Sequence, residues 1–192
     1  MTQKGIGTII IIAIIVTVSA IAIAGIVSYL KGTQSLVAKD PSEMALSLKD
    51  LPVEYRLTSE NIIDTAEEAA MEFTPHSARI WGDWGFEILC YRDFTGNPEY
   101  NGIFCSVDRY SAIDGARNAY EYRYDVLSDE IVPMGETIGE QSFAAHSELF
   151  GLKSYGVYFR EKNIFANVVI TGDYPDLADA VLYARIVESN IP

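Results

Sequence analysis

The sequence predicts an α+β protein with an N-terminal transmembrane helix, then an antiparallel sheet of about five strands with helices packed on one face. Three observations support this fold class. The run 6–30 holds no charged residue, no amide side chain, no histidine and no proline. Farther along, short runs rich in β-branched and aromatic residues alternate with turn-rich connectors, which is typical of antiparallel hairpins. Other segments repeat apolar residues every three or four positions, the spacing of amphipathic helices.

The first element is the apolar run itself, residues 6–30. Its 25 residues would form a helix of about 37 Å at about 1.5 Å per residue, against a hydrocarbon core of about 30 Å. A cleaved secretory signal has a shorter apolar region of about 7–15 residues. Because 19–22 mimics a small-x-small cleavage site, cleavage stays as the alternative to a spanning helix.

Charge bears on the orientation of this helix and on the partners of the chain. Lys4 precedes the span and three lysines follow it closely, so cations alone do not favour a cytoplasmic N-terminus. Large domains cross membranes largely regardless of charge, however. The net charge of −13 disfavours nucleic acid as a partner. We therefore expect a single-pass protein of the cell membrane, with the lipid bilayer as partner, the N-terminus cytoplasmic and the C-terminal domain outside.

Small residues recur along one side of the predicted membrane helix. Spacing of this kind lets two membrane helices approach closely, which predicts self-association. The alternative is that small residues are simply common in membrane helices. The candidate contact residues are Ala13, Thr17, Ala20, Ala24 and Ser28.

The first ten residues carry a family resemblance. Gln3-Lys4-Gly5 followed by Ile6-Gly7-Thr8 resembles the start of archaeal type IV pilin-like proteins and archaellins, whose short basic leader ends in glycine. The resemblance implies processing after Gly5, a new N-terminus at Ile6, and a role as a filament or pseudopilin subunit. The helix lacks the early acidic residue of many bacterial pilins. Because similar openings belong to archaeal membrane-anchored proteins, a simple anchor stays open beside the filament subunit.

Composition changes divide the chain into four parts. We expect a basic leader at 1–5, the transmembrane helix at 6–30, a stalk at 31–50, and one extracytoplasmic domain at 51–192. Within the stalk, a short helix over 42–48 is predicted, with Asp40 or Ser42 as its cap.

Strands are predicted in the domain wherever β-formers run between turn signals: 53–57, 86–94, 103–109, 138–143, 155–160 and 164–171. The turn-rich connectors inside 86–109 and 155–171 predict two hairpins.

Three helices complete the domain. The first begins after Ser59 or Thr65 and ends at Thr74-Pro75. The second follows Ser111, and the third starts at Pro175. Periodicity predicts that the second and third bury Ile113, Ala116, Tyr120, Tyr124 and Leu127, and Leu177, Val181, Ala184 and Val187, respectively.

A second resemblance rests on 138–142 and 156–168. These two stretches are similar to a pattern of small extracytoplasmic domains of unknown or binding function that follow lipoprotein signals and membrane anchors. This sequence has Glu140-Gln141 where that pattern has Asp-Glu. The resemblance implies an outward-facing binding or accessory module and assigns no reaction.

Residues with catalytic or metal-binding chemistry are sparse. His76 and His146 stand apart, without an HExxH motif. The sequence shows no glycine-rich phosphate loop and no G-x-S-x-G elbow, and the acidic stretch 125–130 lacks the spacing of an EF-hand. We therefore predict a non-enzymatic protein with no catalytic residue, no metal and no cofactor, whose ligand is not named by the sequence.

Cys90 and Cys105 lie on the two strands of the first predicted hairpin. A register in which paired residue numbers sum to 195 would place them directly opposite, close enough for a disulfide. Such a bond would persist outside the cell. The alternative is that both are reduced core residues.

Large aromatic residues are concentrated at Trp81-Gly82-Asp83-Trp84-Gly85-Phe86. Rings beside turn-forming positions are typical of a binding loop, and also of the entrance to a buried strand. Arg79, Trp81 and Trp84 are therefore the candidate contacts for a sugar, a peptide or a partner protein, with core packing as the alternative.

Overall fold

The computed structural model describes residues 35–72, 75–96, 101–149 and 151–192, without the side chains of 70–72, 75–78 and 149. Four predictions concern residues outside the described ranges: the leader 1–5, the transmembrane helix 6–30, the processing site at Gly5 and Ile6, and the contact stripe of small residues along that helix. No helix in the described ranges has both the length and the apolar character needed to span a bilayer.

The centre of the domain is an antiparallel sheet of seven strands in the order β1-β2-β3-β7-β6-β5-β4. The α+β class is confirmed, and the strands are seven rather than about five. The strands are β1 Arg56–Ile63, β2 Phe86–Thr95, β3 Gly102–Tyr110, β4 Ile131–Val132, β5 Gln141–Leu149, β6 Leu152–Glu161 and β7 Ile164–Gly172. Both predicted hairpins are present, as β2-β3 and β6-β7.

The largest differences from the predicted strands lie at β1, β4 and β5. Of the two predicted caps of the first helix, Ser59 is wrong, because residues 59–63 continue β1 and pair with β2 from Ser59↔Asp93 to Ile63↔Leu89. Thr65 is correct, since its Oγ1 accepts a hydrogen bond from the Glu68 N–H at 3.1 Å. Strand β5 is longer than predicted because β6 offers a partner along its whole length. The two-residue β4 then pairs with Ala145 and Ala144 of β5. Available pairing thus overrides local propensity in these segments.

Helices cover both faces of the sheet, so the prediction of helices on one face is wrong. The four helices are α1 Ala66–Glu72, α2 Pro75–Asp83, α3 Ile113–Val126 and α4 Leu177–Asn190. Alternate strand residues point to opposite faces. We call the face that carries Cys105 and Val107 the α4 face, since these residues cluster with Val187 of α4. The opposite face, the α3 face, carries Tyr110, which packs with Tyr120 of α3.

Helices α1 and α2 also lie on the α3 face. Ala69 of α1 and Trp81 of α2 pack with Leu89 and Tyr91 of β2. Tertiary packing also changes the predicted stripe of α3: Ala116 and Tyr120 are buried, whereas Tyr124 is 43% exposed.

The segment predicted as a stalk is part of the core on the α4 face. Leu36–Pro192 form one compact unit, and Val37, Met44 and Leu46 are buried in the same cluster as α4. The Arg92 guanidinium donates a hydrogen bond to the Leu46 carbonyl at 2.8 Å. Asn163 Oδ1 accepts a hydrogen bond from the Val37 N–H at 2.7 Å. Residues 36–50 therefore do not form a free stalk, because their apolar side chains complete this face of the sheet.

Candidate functional site

A pocket of about 260 Å³ opens on the α3 face of the sheet. Helices α2 and α3 each contribute one side chain to it, Trp81 and Arg123, and strands β2, β3, β7 and β6 form its floor. Its lining residues are Trp81, Leu89, Phe104, Ser106, Asp108, Arg123, Tyr158, Phe165, Asn167 and Val169.

The polar floor of this pocket follows from strand alternation and register. Ser106 and Asp108 are two residues apart on β3, so both point to the α3 face. The register places Asn167 of β7 directly opposite Ser106 and Phe165 opposite Asp108. Because β3 and β7 are central strands, the side chains Ser106, Asp108 and Asn167 are each only 6% exposed. Three polar groups therefore lie together where a sheet normally carries apolar residues.

A chain of hydrogen bonds joins these three side chains. Asn167 Nδ2 donates to Ser106 Oγ at 2.8 Å. Ser106 Oγ in turn donates to Asp108 Oδ1 at 3.2 Å. Burial raises the pKa of Asp108 from 3.8 to about 7, against the Ser106 hydrogen bond and the charge of Arg123, which both lower it. A cation that enters the pocket would therefore favour the ionised form of the Asp108 carboxyl.

Arg123 supplies the positive charge of the pocket. Its guanidinium carbon lies 5.9 Å from the centre of the Tyr158 ring, a cation–π arrangement. In the part of the chain that the structure describes, no ion pair joins Arg123 to Asp108, although the Arg123 charge lowers the pKa of Asp108. Two opposite charges therefore line one small cavity without contacting each other.

The Tyr158 ring is fixed by its neighbours. It stacks on Phe143 with 4.9 Å between ring centres and 12° between planes. A Cβ atom at Gly156 would lie 2.7 Å from a carbon of this ring, so the ring occupies the space that a side chain at 156 would need. Burial raises the pKa of Tyr158, which keeps its hydroxyl neutral.

The structure separates the three aromatic-segment candidates, whose role as ligand contacts stays a prediction. Trp81 is half-buried on the pocket wall and stacks on Phe86 at 5.8 Å between ring centres. Trp84 instead packs edge-on against Tyr122 at 5.8 Å, outside the pocket lining. Arg79 is exposed and also outside the lining.

The two cysteines are offset rather than opposite. The register pairs Cys90 with Val107 and Cys105 with Arg92, so paired numbers sum to 197 rather than 195. Both are buried free thiols on the α4 face, and burial raises the pKa of Cys90 to about 11 and that of Cys105 to about 12. The predicted register, which places the two cysteines directly opposite each other, is therefore wrong. A slip of two residues keeps every side chain on its face, so the hydrophobic pattern could not reveal it.

A larger groove of about 700 Å³ runs along α4, beside Met134, Leu177 and Val181. Its charged groups are already satisfied by one another. Arg185 pairs with Glu136 and with Glu188. The pocket on the α3 face differs because its buried carboxyl and its guanidinium are not paired with each other, which makes it the better candidate for a ligand site.

Sequence patterns did not predict Ser106, Asp108, Arg123 and Asn167 as site residues. A signal for three of them was present, because single polar residues interrupt apolar runs at Cys105-Ser106-Val107-Asp108 and at Ala166-Asn167-Val168. A polar side chain inside a central strand requires a partner or a function. Arg123 carried no such signal, since an arginine on an amphipathic helix is ordinary.

Comparisons with known proteins show similarity of fold. No protein-family model matches the chain, and no curated protein matches it in sequence. The fold is similar to the extracellular domain of PknH from Mycobacterium tuberculosis, with a TM-score of 0.59 and 10% identity, over 81% of this chain and 97% of that chain. A putative uncharacterized protein from Mycobacterium smegmatis gives a TM-score of 0.37 and 12% identity, over 75% and 93% of the two chains, which is too low to indicate a shared fold.

Proposed function

We propose that this chain is a single-span, membrane-anchored protein whose Leu36–Pro192 unit binds a small ligand outside the cell membrane without transforming it. The observation that carries the proposal is the pocket on the α3 face, where a buried carboxyl and a separate guanidinium meet aromatic walls. A concave site with a few convergent polar groups among apolar ones is the usual form of a small-molecule site.

Two further observations support the location. The 25-residue apolar run 6–30 is long enough for a membrane span. The fold is also similar to a domain that is described as extracellular in a mycobacterial protein. Both observations concern the location of the protein, and neither identifies the ligand.

The chemistry of the pocket supports binding rather than catalysis. Ser106 is engaged on both sides, since it accepts from Asn167 and donates to Asp108. The base that usually activates a nucleophilic serine is a histidine. The described ring of His146 lies on β5 beside Tyr155, with 4.7 Å between ring centres, and is not part of the pocket lining. The floor is therefore best suited to holding polar groups of a ligand.

Membrane attachment and orientation are tested with the full chain in cells. Carbonate-washed membranes should retain the protein, and protease added to intact cells should remove the domain. Release of the protein by carbonate would contradict the membrane span. Protection from protease until the cells are broken would reverse the proposed orientation.

Ligand binding is tested by a ligand-observed NMR screen of small metabolites against the detergent-solubilised full chain. Trp81→Ala removes a pocket wall, while Trp84→Ala removes a ring of the same size outside the pocket. Hits that weaken in Trp81→Ala and persist in Trp84→Ala would support the pocket. A screen without hits, or hits that are equal in both variants, would contradict the proposal.

A filament or pseudopilin subunit is the second candidate function, favoured by Lys4-Gly5-Ile6. N-terminal mass spectrometry and electron microscopy of sheared surface material distinguish it from an anchor. An N-terminus at Ile6 together with this chain in sheared filaments would establish the filament subunit. Cleavage after Gly5 without filaments would favour a pseudopilin-like role, and an uncut chain that stays in the membrane would favour the anchor.

A further inference from the structure

We propose that the pocket on the α3 face binds a small zwitterion of α-amino-acid size, with its ammonium group on Asp108 and Asn167 and its carboxylate on Arg123. This inference rests on the proposed binding function and specifies the ligand class. Four features of the pocket support it: the acceptors of the floor, the separated charges, the volume and the walls.

The floor presents hydrogen-bond acceptors. Asp108 uses Oδ1 to accept from Ser106, and Asn167 uses its Nδ2 to donate to Ser106. The remaining polar atoms of these two side chains are a carboxyl oxygen and an amide oxygen. An ammonium group carries three donors and no acceptor, so it complements two acceptors that lie on neighbouring strands.

Arg123 provides the complementary group for a carboxylate. Its guanidinium has five N–H donors in a fixed plane, an arrangement that suits carboxylates. Tyr158 lies under the guanidinium at 5.9 Å from the ring centre and so restricts where it can move. In the described ranges, the Arg123 side chain forms no ion pair with a carboxylate of the protein.

The separation of the two charges is the feature that selects a zwitterion. A buried charge is costly unless it is paired. A monoanion bound by Arg123 would leave Asp108 without a cationic partner, and a monocation bound by Asp108 would lie near the positive Arg123. A molecule with both charges satisfies both side chains. The raised pKa of Asp108 agrees with a carboxyl that lacks its cation in the empty pocket.

Volume and walls define the rest of the ligand. About 260 Å³ is below the range of about 300–1,000 Å³ of drug-sized sites, so a single amino acid suits the pocket better than a peptide. Trp81, Leu89, Phe104 and Val169 form its apolar lining. We therefore expect free amino acids with apolar side chains, such as leucine or phenylalanine, rather than charged ones.

The experiment is calorimetric titration of the detergent-solubilised full chain with L-leucine and L-phenylalanine. N-acetyl-L-phenylalanine lacks the ammonium group and L-phenylalaninamide lacks the carboxylate. We expect each derivative to bind at least tenfold more weakly than L-phenylalanine, because each loses a charge-assisted hydrogen bond. Equal binding of the three compounds, or no binding of the free amino acids, would overturn the proposal.

Variants of Asp108 and Arg123 test which side chain binds each charged group of the amino acid. Asp108→Asn and Arg123→Gln should each weaken amino-acid binding at least tenfold. Arg117→Gln is the matched control, because Arg117 is an exposed arginine of the same helix that pairs with Asp114. Folding of each variant is verified by circular dichroism, and Arg123→Lys should restore part of the affinity that Arg123→Gln loses. Unchanged binding in folded Asp108→Asn or Arg123→Gln would contradict the assignment.

Two singly charged probes distinguish the zwitterion proposal from the broader proposal that the pocket binds a small ligand. Phenethylamine carries only the ammonium group, and 3-phenylpropionate carries only the carboxylate. If either binds as tightly as L-phenylalanine and is weakened by Trp81→Ala, the zwitterion class is refuted while ligand binding by the pocket stands. If the free amino acids and both probes all fail to bind, the zwitterion proposal fails, and the metabolite screen decides separately on the binding function.

Discussion

Asp108 is a buried carboxyl on the floor of the pocket on the α3 face. It lies on a central strand, is 6% exposed, and is bonded to Ser106. The groups that act on its charge are Ser106, from its own strand, and Arg123, from α3. Tyr110, two residues along β3, is close enough that the Asp108 charge raises its pKa further after burial has done so. Such an arrangement costs stability when the carboxyl is charged, and perturbed ionisable groups of this kind cluster at functional sites.

The raised pKa of Asp108 predicts a pH dependence of stability. Its folded pKa of about 7 exceeds the ordinary 3.8, so the folded state binds this proton more tightly than the unfolded state. The associated stabilisation is full below about pH 3.8 and is lost as the pH rises to about 7. Asp108→Asn should remove this contribution to the pH dependence of the free energy of unfolding, which is a few kcal/mol over the whole range. Denaturant unfolding across this pH range measures it.

The control for that measurement is Asp114→Asn, an exposed carboxylate on α3. Asp93 and Glu161, whose pKa values burial also raises, remain in both variants, so a shallower slope in Asp108→Asn than in Asp114→Asn reports on Asp108. An Asp108→Asn protein with the wild-type slope would show that the Asp108 pKa is ordinary.

Gly156 predicts a second effect at the scale of one residue. In Gly156→Ala the new methyl group would lie 2.7 Å from the Tyr158 ring, which must shift from its present position stacked on Phe143. Overpacking of this kind costs about 1–3 kcal/mol. Thermal unfolding should show the loss, and Gly135→Ala, where nothing lies within 4 Å of the added atom, should leave stability nearly unchanged. A Gly156→Ala protein as stable as Gly135→Ala would contradict the tight ring packing.

At the scale of elements, the position of α3 decides the geometry of the pocket. This helix carries Arg123, and it lies close to the chain before β2 because residue 115 has no side chain. A Cβ atom at Gly115 would lie 2.2 Å from the Trp84 carbonyl oxygen and 2.9 Å from Tyr110 Cβ. Neither neighbour can move as easily as the end of a flexible side chain. The absence of a side chain at 115 therefore sets how closely the helix docks.

Gly115→Ala should displace the start of α3. We expect a loss at the upper end of about 1–3 kcal/mol, larger than that of Gly156→Ala, because the clash is with backbone rather than with a ring. Asp114→Ala is the neighbouring control, since the exposed pair that it breaks with Arg117 is worth about 1 kcal/mol or less. Equal unfolding temperatures of the two variants would contradict the close docking.

At the scale of the molecule, the domain is larger at its N-terminal end than composition indicates. Val37, Met44, Ala45, Leu46 and Leu51 belong to the core cluster of the α4 face. The hydrogen bonds of Asn163 and Arg92 join this segment to the sheet, since Asn163 contacts Val37 and Tyr110 and Arg92 contacts Leu46. A polar-looking stretch therefore completes the core because the apolar side chains scattered along it are buried against the sheet.

Truncation tests this boundary. Removing residues 1–35 should leave a cooperatively folded protein, because the compact unit begins at Leu36. Removing residues 1–50 should abolish cooperative unfolding, because it deletes the buried Val37, Met44 and Leu46 and each large core side chain contributes about 2–5 kcal/mol. Calorimetry measures both. A cooperatively folded 51–192 protein would instead support the predicted stalk at 31–50 and the domain boundary at residue 51.

Local patterns in the sequence determine the α+β class, the hairpins β2-β3 and β6-β7, and helices α3 and α4. Each of these elements depends on periodicity and turn residues within about twenty positions, which a single stretch of sequence can display.

Only the tertiary structure decides the remainder, because it depends on residues far apart in the chain. In the β2-β3 hairpin, paired residue numbers sum to 197 rather than 195. Both registers leave every side chain on the same face of the sheet, so no hydrophobic pattern distinguishes them. The assignment of helices to both faces, and of 36–51 to the core, depends on which apolar surfaces meet. The pocket assembles Trp81, Asp108, Arg123, Tyr158 and Asn167 from five elements, and their proximity arises only when β7 pairs with β3 and α2 and α3 dock on the same face.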